Sequence, residues 1–361
     1  MRLLIVGPGK LKYMPYARFY LDNIDCKKNE VHLSFWNRDL KLEDQSTYQG
    51  VILHEFSMFM VNDASMKTKV RCYIKYRNFV KNILKTTSFD FVIVLHSLSG
   101  LMIYDELKRH FKNRFILDYR DSTYETRVRI FGLAVENLCR MSRVTFVSSD
   151  AFRRFLPDEC VSKIYTSHNL LEDSLNHREF SRIYSERVRL AFWGFIRHYD
   201  VNKSLIDRIS DDERFELHYY GREQKDALDL KAYAKSIGAS NVFFHGEYNP
   251  EDRYEFVKRT DLIHNIYDGQ NENMAMGNKY YDSIIFRIPQ LCNVGSFMGE
   301  MAFSNGVGFM VDPASPDFCD CVYNYYAELN HMSFSDACNN ELERVLAEYK
   351  KGVDVIKNLV R

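Results

Sequence analysis

Several charged and titratable side chains follow directly on apolar runs. Arg197 comes just after Leu190-Ala191-Phe192-Trp193-Gly194, and Lys203 follows six residues later. Two cations beside the start of a helix can balance negative charge that grows on a departing anionic group. Lys279 and Asp282 are three apart, a spacing that puts both on one face of a helix. His96 ends the run Phe91-Val92-Ile93-Val94-Leu95, and Asp118, Arg120 and Asp121 follow Phe115-Ile116-Leu117. Each group has an ordinary alternative. Arg197 can be an exposed loop residue, and Lys279 with Asp282 an ion pair on a solvated helix. His96 can be a hydrogen-bonded structural histidine, and Asp118 or Asp121 a partner of Arg120 that fixes its loop.

The elements that must position these residues are legible as alternating runs. Residues 3–6 and 91–95 are short and continuously apolar, as buried parallel strands are, and residues 31–36, 115–118 and 144–147 are further strand candidates. Helical patterns lie between them, around 78–84, 101–111 and 130–139. The alternation pauses between about 167 and 186, then resumes with strands at 189–194, 215–220, 242–244, 262–266, 289–291 and 308–311, and a terminal helix near 340–359. Strands alternating with helices predict parallel sheets covered on both faces. The expected architecture is α/β: two Rossmann-like doubly wound domains facing a cleft, over 1–170 and 171–340, with a helix at 341–361 returning toward the first domain. Ligands of such sheets sit beyond the carboxyl ends of the strands.

Composition narrows the function. The 361 residues suit two domains, with 46% hydrophobic and 14% aromatic residues to fill their cores. The formal net charge is zero, so no overall field attracts nucleic acid. The eight cysteines are scattered without a disulfide framework or metal-ligand spacing, as expected of reduced thiols in the cytoplasm. No leader peptide and no apolar stretch of about 20 residues is expected to direct or anchor the chain. Gly7-Pro8-Gly9 follows the first strand, but Lys12 stands where a dinucleotide fingerprint needs its third glycine, which disfavours a dehydrogenase.

Three segments in the second half carry a family likeness. They are Phe192-Trp193-Gly194-Phe195-Ile196-Arg197-His198 with Lys203, Gly277-Asn278-Lys279-Tyr280-Tyr281-Asp282 running to Ile288-Pro289, and His245-Gly246-Glu247-Tyr248-Asn249-Pro250 with Asp261-Leu262-Ile263-His264. Together they resemble the donor-binding domain of GT-B glycosyltransferases, in particular the family 4-like enzymes of capsule and O-antigen polysaccharide biosynthesis. The resemblance implies that Gly194, Arg197 and Lys203 bind the donor diphosphate. Asp282, seven residues before Pro289, would hold the ribose diol and Lys279 would reach a phosphate, while Gly246 would lie near the base. The family's first glutamate, eight residues before its second, corresponds to Met274; Glu272 lies close by in the polar loop 269–277 and would contact the sugar. In the first half, Asp90-Phe91-Val92-Ile93-Val94-Leu95-His96-Ser97 and Leu117-Asp118-Tyr119-Arg120-Asp121 are similar to the family's acceptor-domain strands. That likeness implies that His96 contacts the donor sugar or helps deprotonate the acceptor, and that Asp121 or Asp118 orients an acceptor hydroxyl.

The expectation is therefore a cytoplasmic bacterial sugar transferase, retaining and independent of metal. It takes a nucleotide-diphosphate sugar as co-substrate, needs no further cofactor, and serves a saccharide or lipid-linked acceptor in surface polysaccharide synthesis. Closure of the cleft would exclude water. A sugar-nucleotide epimerase and a catalytically inactive nucleotide-sugar-binding scaffold are the alternatives. Basic and aromatic residues interleave at Lys10, Lys12, Tyr13, Tyr16 and Arg18, and again at Lys67, Lys69, Arg71, Tyr73, Lys75, Tyr76 and Arg77. Such patches suit peripheral contact with anionic lipid at the inner membrane face, or simply solvated helix faces.

Overall fold

The computed structural model describes residues 1–61, 64–122, 125–269 and 271–360. Gln270, inside the expected sugar-contacting loop, lies outside the described residues. The chain divides into two compact units, Met1–His168 together with Ala347–Arg361, and Asn169–Leu346.

The first unit holds a sheet of seven parallel strands: β1 (Arg2–Val6), β2 (Glu30–Asn37), β3 (Val51–Ser57), β4 (Phe91–Leu95), β5 (Phe115–Tyr119), β6 (Val144–Val147) and β7 (Ile164–Thr166). Their order is β3-β2-β1-β4-β5-β6-β7. The second unit repeats the plan with β8 (Val188–Trp193), β9 (Phe215–Tyr220), β10 (Val242–Gly246), β11 (Leu262–Asn265), β12 (Gln290–Asn293) and β13 (Gly308–Val311), ordered β10-β9-β8-β11-β12-β13. Both orders are doubly wound, and the direction of winding reverses between β1 and β4 and between β8 and β11. A strand flanked by helices on both faces buries every side chain, and β4, β5 and β8 are buried throughout. The edge strand β3 alternates between half-buried and exposed positions, and its polar His54 and Glu55 break the apolar pattern. Sequence periodicity gave no sign of it for that reason.

One expected element differs. The helix placed at 101–111 is two helices, Ser97–Met102 and Tyr104–His110. The fully buried Ile103 leaves helical geometry between them (φ −112°, ψ 24°). The Met102 carbonyl accepts instead from Arg77 Nε at 2.8 Å, which holds the break open.

Buried histidines make the fold sensitive to acid. His264, on β11, is 1% exposed; its ring shares a hydrogen bond with Asn202 Oδ1 (2.8 Å) and its Nδ1 accepts from the Ile266 N–H (3.1 Å). Both nitrogens are thus used by one neutral tautomer. Burial above all, then Lys279 and His198, lowers its pKa to about 3. His218 is also held down by burial against the pull of Glu216. A folded-state pKa below the unfolded value means that the unfolded chain binds the extra proton first. Stability is then complete above about pH 6.5 and is lost as the pH falls toward 3. Chemical denaturation at stepped pH is expected to show this loss, and His264→Gln to reduce the slope by about 1.4 kcal/mol per pH unit between pH 6 and 4. An unchanged slope would remove His264 as its source.

Candidate functional site

In the second unit the chain leaves β8 at the switch point beside β11. Gly194 there has φ +127°, a conformation open to glycine. A Cβ on Gly221, just after β9, would lie 1.7 Å from the Gly194 carbonyl oxygen, so the two backbones meet only because Gly221 lacks a side chain. The following loop is pinned from below by Asn202, buried on the helix Tyr199–Ile209. Its amide donates to the carbonyls of Arg197 (2.8 Å) and His198 (3.0 Å), while its Oδ1 accepts from Tyr219 OH (2.9 Å) and meets His264. A satisfied buried network of this kind fixes a loop where apolar packing alone would leave it loose.

The loop and the helix Asn278–Phe286 bring positive charge together. Lys279 is half-buried; its Nζ donates to Tyr267 OH at 2.7 Å and sits 4.2 Å from the Phe192 ring centroid. Among the described residues no carboxylate forms an ion pair with it. Burial lowers its pKa to about 8, with Asp282 opposing and Arg197 reinforcing the shift. The half-exposed Arg197 reaches Glu272 at 3.5 Å, and His198 stands 3.9 Å from the same carboxylate. Among the described residues His198 Nε2 is buried without a hydrogen-bond partner, and its backbone is left-handed at φ +67°. Arg197, Asp282 and Glu272 all act electrostatically on Tyr267, so Lys279 and Tyr267 stand amid the charges. The arrangement offers a cation at a strand switch point whose only direct polar contact among the described residues is a neutral phenol, which is what an anionic ligand requires.

Other expected residues are engaged differently. Asp282 is 2% exposed and accepts from Trp193 Nε1 at 2.8 Å, with Arg253 Nη1 at 3.6 Å. Burial raises its pKa, and Arg253 opposes the shift. Its carboxylate therefore braces the core beneath the loop. Lys203 is not gathered with Lys279: its ammonium donates to Asp207 at 2.9 Å and lies over the Tyr233 ring at 4.3 Å. The pair is an i,i+4 contact on a solvated helix. Gly246 ends the edge strand β10 at φ +80°, with open space where a Cβ would stand. A cleft of about 950 Å³ in this unit, bounded by Leu171, His177, Arg253, Tyr254 and Lys258, includes none of the sequence-predicted residues in its lining.

In the first unit, His96 and Asp121 do come together, with Nε2 4.0 Å from Oδ2. His96 caps the helix Ser97–Met102 through Nδ1, which accepts from the Leu98 N–H at 3.2 Å. That leaves Nε2 facing Asp121. Its φ of +77° is unusual for a residue with a side chain and marks a position set by its surroundings. Asp118 is fully buried and accepts from Arg120 Nε at 3.0 Å, and Arg120 also donates to Ser167 Oγ and covers the Tyr16 ring. For Asp118 the loop-fixing alternative is the observed one. Lys10 is 3% exposed and paired with Asp39 and Glu43, so it cannot belong to a surface basic patch.

Spacing pointed to Arg197, Lys279, His96 and Asp121. It missed Asn202, Tyr267 and Arg253 as structural partners. Tyr267 was legible in principle, two residues beyond β11 at the switch point; nothing in the sequence singles out Arg253. Among the described residues no group of three His, Cys, Asp or Glu side chains is placed to hold a metal ion.

Two parallel-sheet Rossmann-like units in one chain are the GT-B class of fold. The chain is similar to sucrose-phosphate synthase from Thermosynechococcus elongatus (TM-score 0.73, 11% identity, covering 99% of this chain and 98% of that one). It is similar to Anabaena HepE, solved in complex with UDP-glucose (0.67, 12%, 99% and 100%). It is also similar to a putative UDP-N-acetylglucosamine 2-epimerase from Listeria monocytogenes (0.58, 10%, 94% and 90%). At these identities the likeness is one of fold. No protein-family model and no curated protein sequence matches the chain.

Proposed function

We propose that this protein is a glycosyltransferase that takes a sugar from a nucleoside diphosphate donor and passes it to a saccharide or lipid-linked acceptor in surface polysaccharide synthesis. The observation that carries the reading is Lys279: a half-buried ammonium without a carboxylate ion pair among the described residues, next to an open glycine turn and within the field of Arg197. The donor diphosphate is its partner. Arg197, half-exposed and only loosely tied to Glu272, turns from that carboxylate to the phosphates when the donor binds. The two cations neutralise the leaving group in place of a metal ion. In the first unit Nδ1 of His96 accepts from the Leu98 N–H, so the neutral ring carries its proton on Nε2 and donates there to the donor sugar, while Asp121 beside it orients the acceptor hydroxyl. The motif resemblance at 192–203 and 277–289 supports the retaining, surface-polysaccharide part of the reading.

Incubation with a panel of nucleotide sugars tests it. Slow release of free sugar and nucleoside diphosphate is the expected result. The fold likeness to the putative epimerase supports a second reading, under which the same incubation yields the 2-epimer. Binding without turnover would leave a scaffold. Arg197→Ala is expected to cut turnover about 10²–10³-fold with an unchanged circular dichroism spectrum. Wild-type rates in that variant would exclude Arg197 from the donor site.

A further inference from the structure

We propose that the outer face of the helix Met66–Thr86 docks this protein on an anionic lipid surface. Met66, Val70 and Ile74 follow one another at four-residue steps, so they form one ridge along the helix. They are 58%, 48% and 51% exposed. Lys67, Arg71 and Lys75 follow at the same step and form a second, parallel ridge. The six residues together line a shallow hollow of about 560 Å³. The opposite face is the one that packs into the unit, through Cys72, Tyr76, Val80 and Ile83. Just before the helix, Phe59 and Val61 are also exposed, at 59% and 45%.

Charge decides what covers this face. Residues 66–86 contain seven Lys and Arg and no Asp or Glu. The ion pairs of this helix among the described residues are those of Arg77 and Lys81 with Asp105 and Glu106, on the side that packs. Lys67, Arg71 and Lys75 beside the apolar ridge have none among the described residues. Such a face gains twice from an anionic bilayer: the ridge leaves water, and the long basic side chains keep their heads among the lipid phosphates. A nucleic acid would satisfy the cations but leave the ridge wet. A second copy of the chain would bring the same cations against themselves. The inference is independent of the transferase reading, because none of these residues belongs to the sites described above.

Co-sedimentation with vesicles tests it, using phosphatidylcholine alone and phosphatidylcholine with phosphatidylglycerol. The full chain is expected to pellet with the anionic vesicles, to release at high salt, and to stay in solution with the neutral ones. The triple change Lys67→Gln, Arg71→Gln, Lys75→Gln is expected to weaken binding roughly 100-fold. Val70→Glu with Ile74→Glu is expected to abolish it, with the thermal midpoint unchanged in both variants. No pelleting of the wild type, or equal pelleting of both variants, overturns the proposal. So does a wild-type dimer in sedimentation velocity that the Val70→Glu, Ile74→Glu change dissolves, and so does binding to duplex DNA as tight as to the anionic vesicles.

Discussion

Lys279→Met is expected to abolish nucleoside diphosphate binding while the protein stays folded. The ammonium lies where burial makes its charge costly, and no carboxylate ion pair among the described residues offsets that cost. Methionine removes the charge, fills similar space between Phe192 and Tyr267, and leaves Tyr267 OH bonded to Asn265 at 3.0 Å. Stability should therefore hold or rise. Calorimetric titration with a nucleoside diphosphate panel should show affinity lower by about 10²-fold or more, the cost of losing one charge-assisted contact to an anion. The wild type carries its own signature. Its lysine is charged below about pH 8 and neutral above. Donor affinity should be full below that pH and fall as pH rises through it, and the variant should lack the fall. Tight, pH-independent binding in Lys279→Met would remove the donor site from this position.

Asp282→Ala is expected to act on stability first. The carboxylate holds the indole N–H of Trp193 and faces the guanidinium of Arg253, which is 8% exposed. Arg253 keeps hydrogen bonds to Ser174 and Tyr254 but loses its carboxylate, and its Nε is already buried without a partner. Removing one member of a buried pair costs about 3–5 kcal/mol, because the other charge is stranded. The denaturation midpoint should fall accordingly. Asp282→Asn keeps an acceptor for Trp193 and should recover part of the loss. If Asp282→Ala keeps full stability and loses only donor affinity, the carboxylate grips a ligand and does not brace the core.

These two residues also mark how far the sequence could be read. Lys279 and Asp282 share a helix face by their spacing, and that much was legible. What each one meets is tertiary. Asp282 is drawn inward by Trp193 and Arg253, residues 89 positions before and 29 before it, and Lys279 is thereby left for another partner. The buried strand β4 was visible as an unbroken apolar run, and β5 and β8 as apolar runs carrying one charged residue each, Asp118 and Arg189, whereas β3 was hidden because an edge strand is half-wet. His96 and Asp121 were each identified after a strand, but their approach to 4.0 Å depends on β4 and β5 lying side by side. Lys203 shows the reverse case. Asp207, one turn on, was visible in the sequence, and the local contact is the one observed.

The first unit draws one strip of its interior from residues 347–360. Tyr349 meets Phe19 edge-on at 5.2 Å, and Gly352 sits so close to Phe19 and Phe146 that a Cβ there would be 3.0 and 3.2 Å away. Val353, Ile356 and Val360 complete the same cluster. On the ribosome, then, the half made first cannot seal its interior until the segment from residue 347 onward has been synthesised, and the aromatic residues at 19 and 146 wait uncovered while the second unit emerges. Assembly of the first unit waits on a segment made only after the second unit.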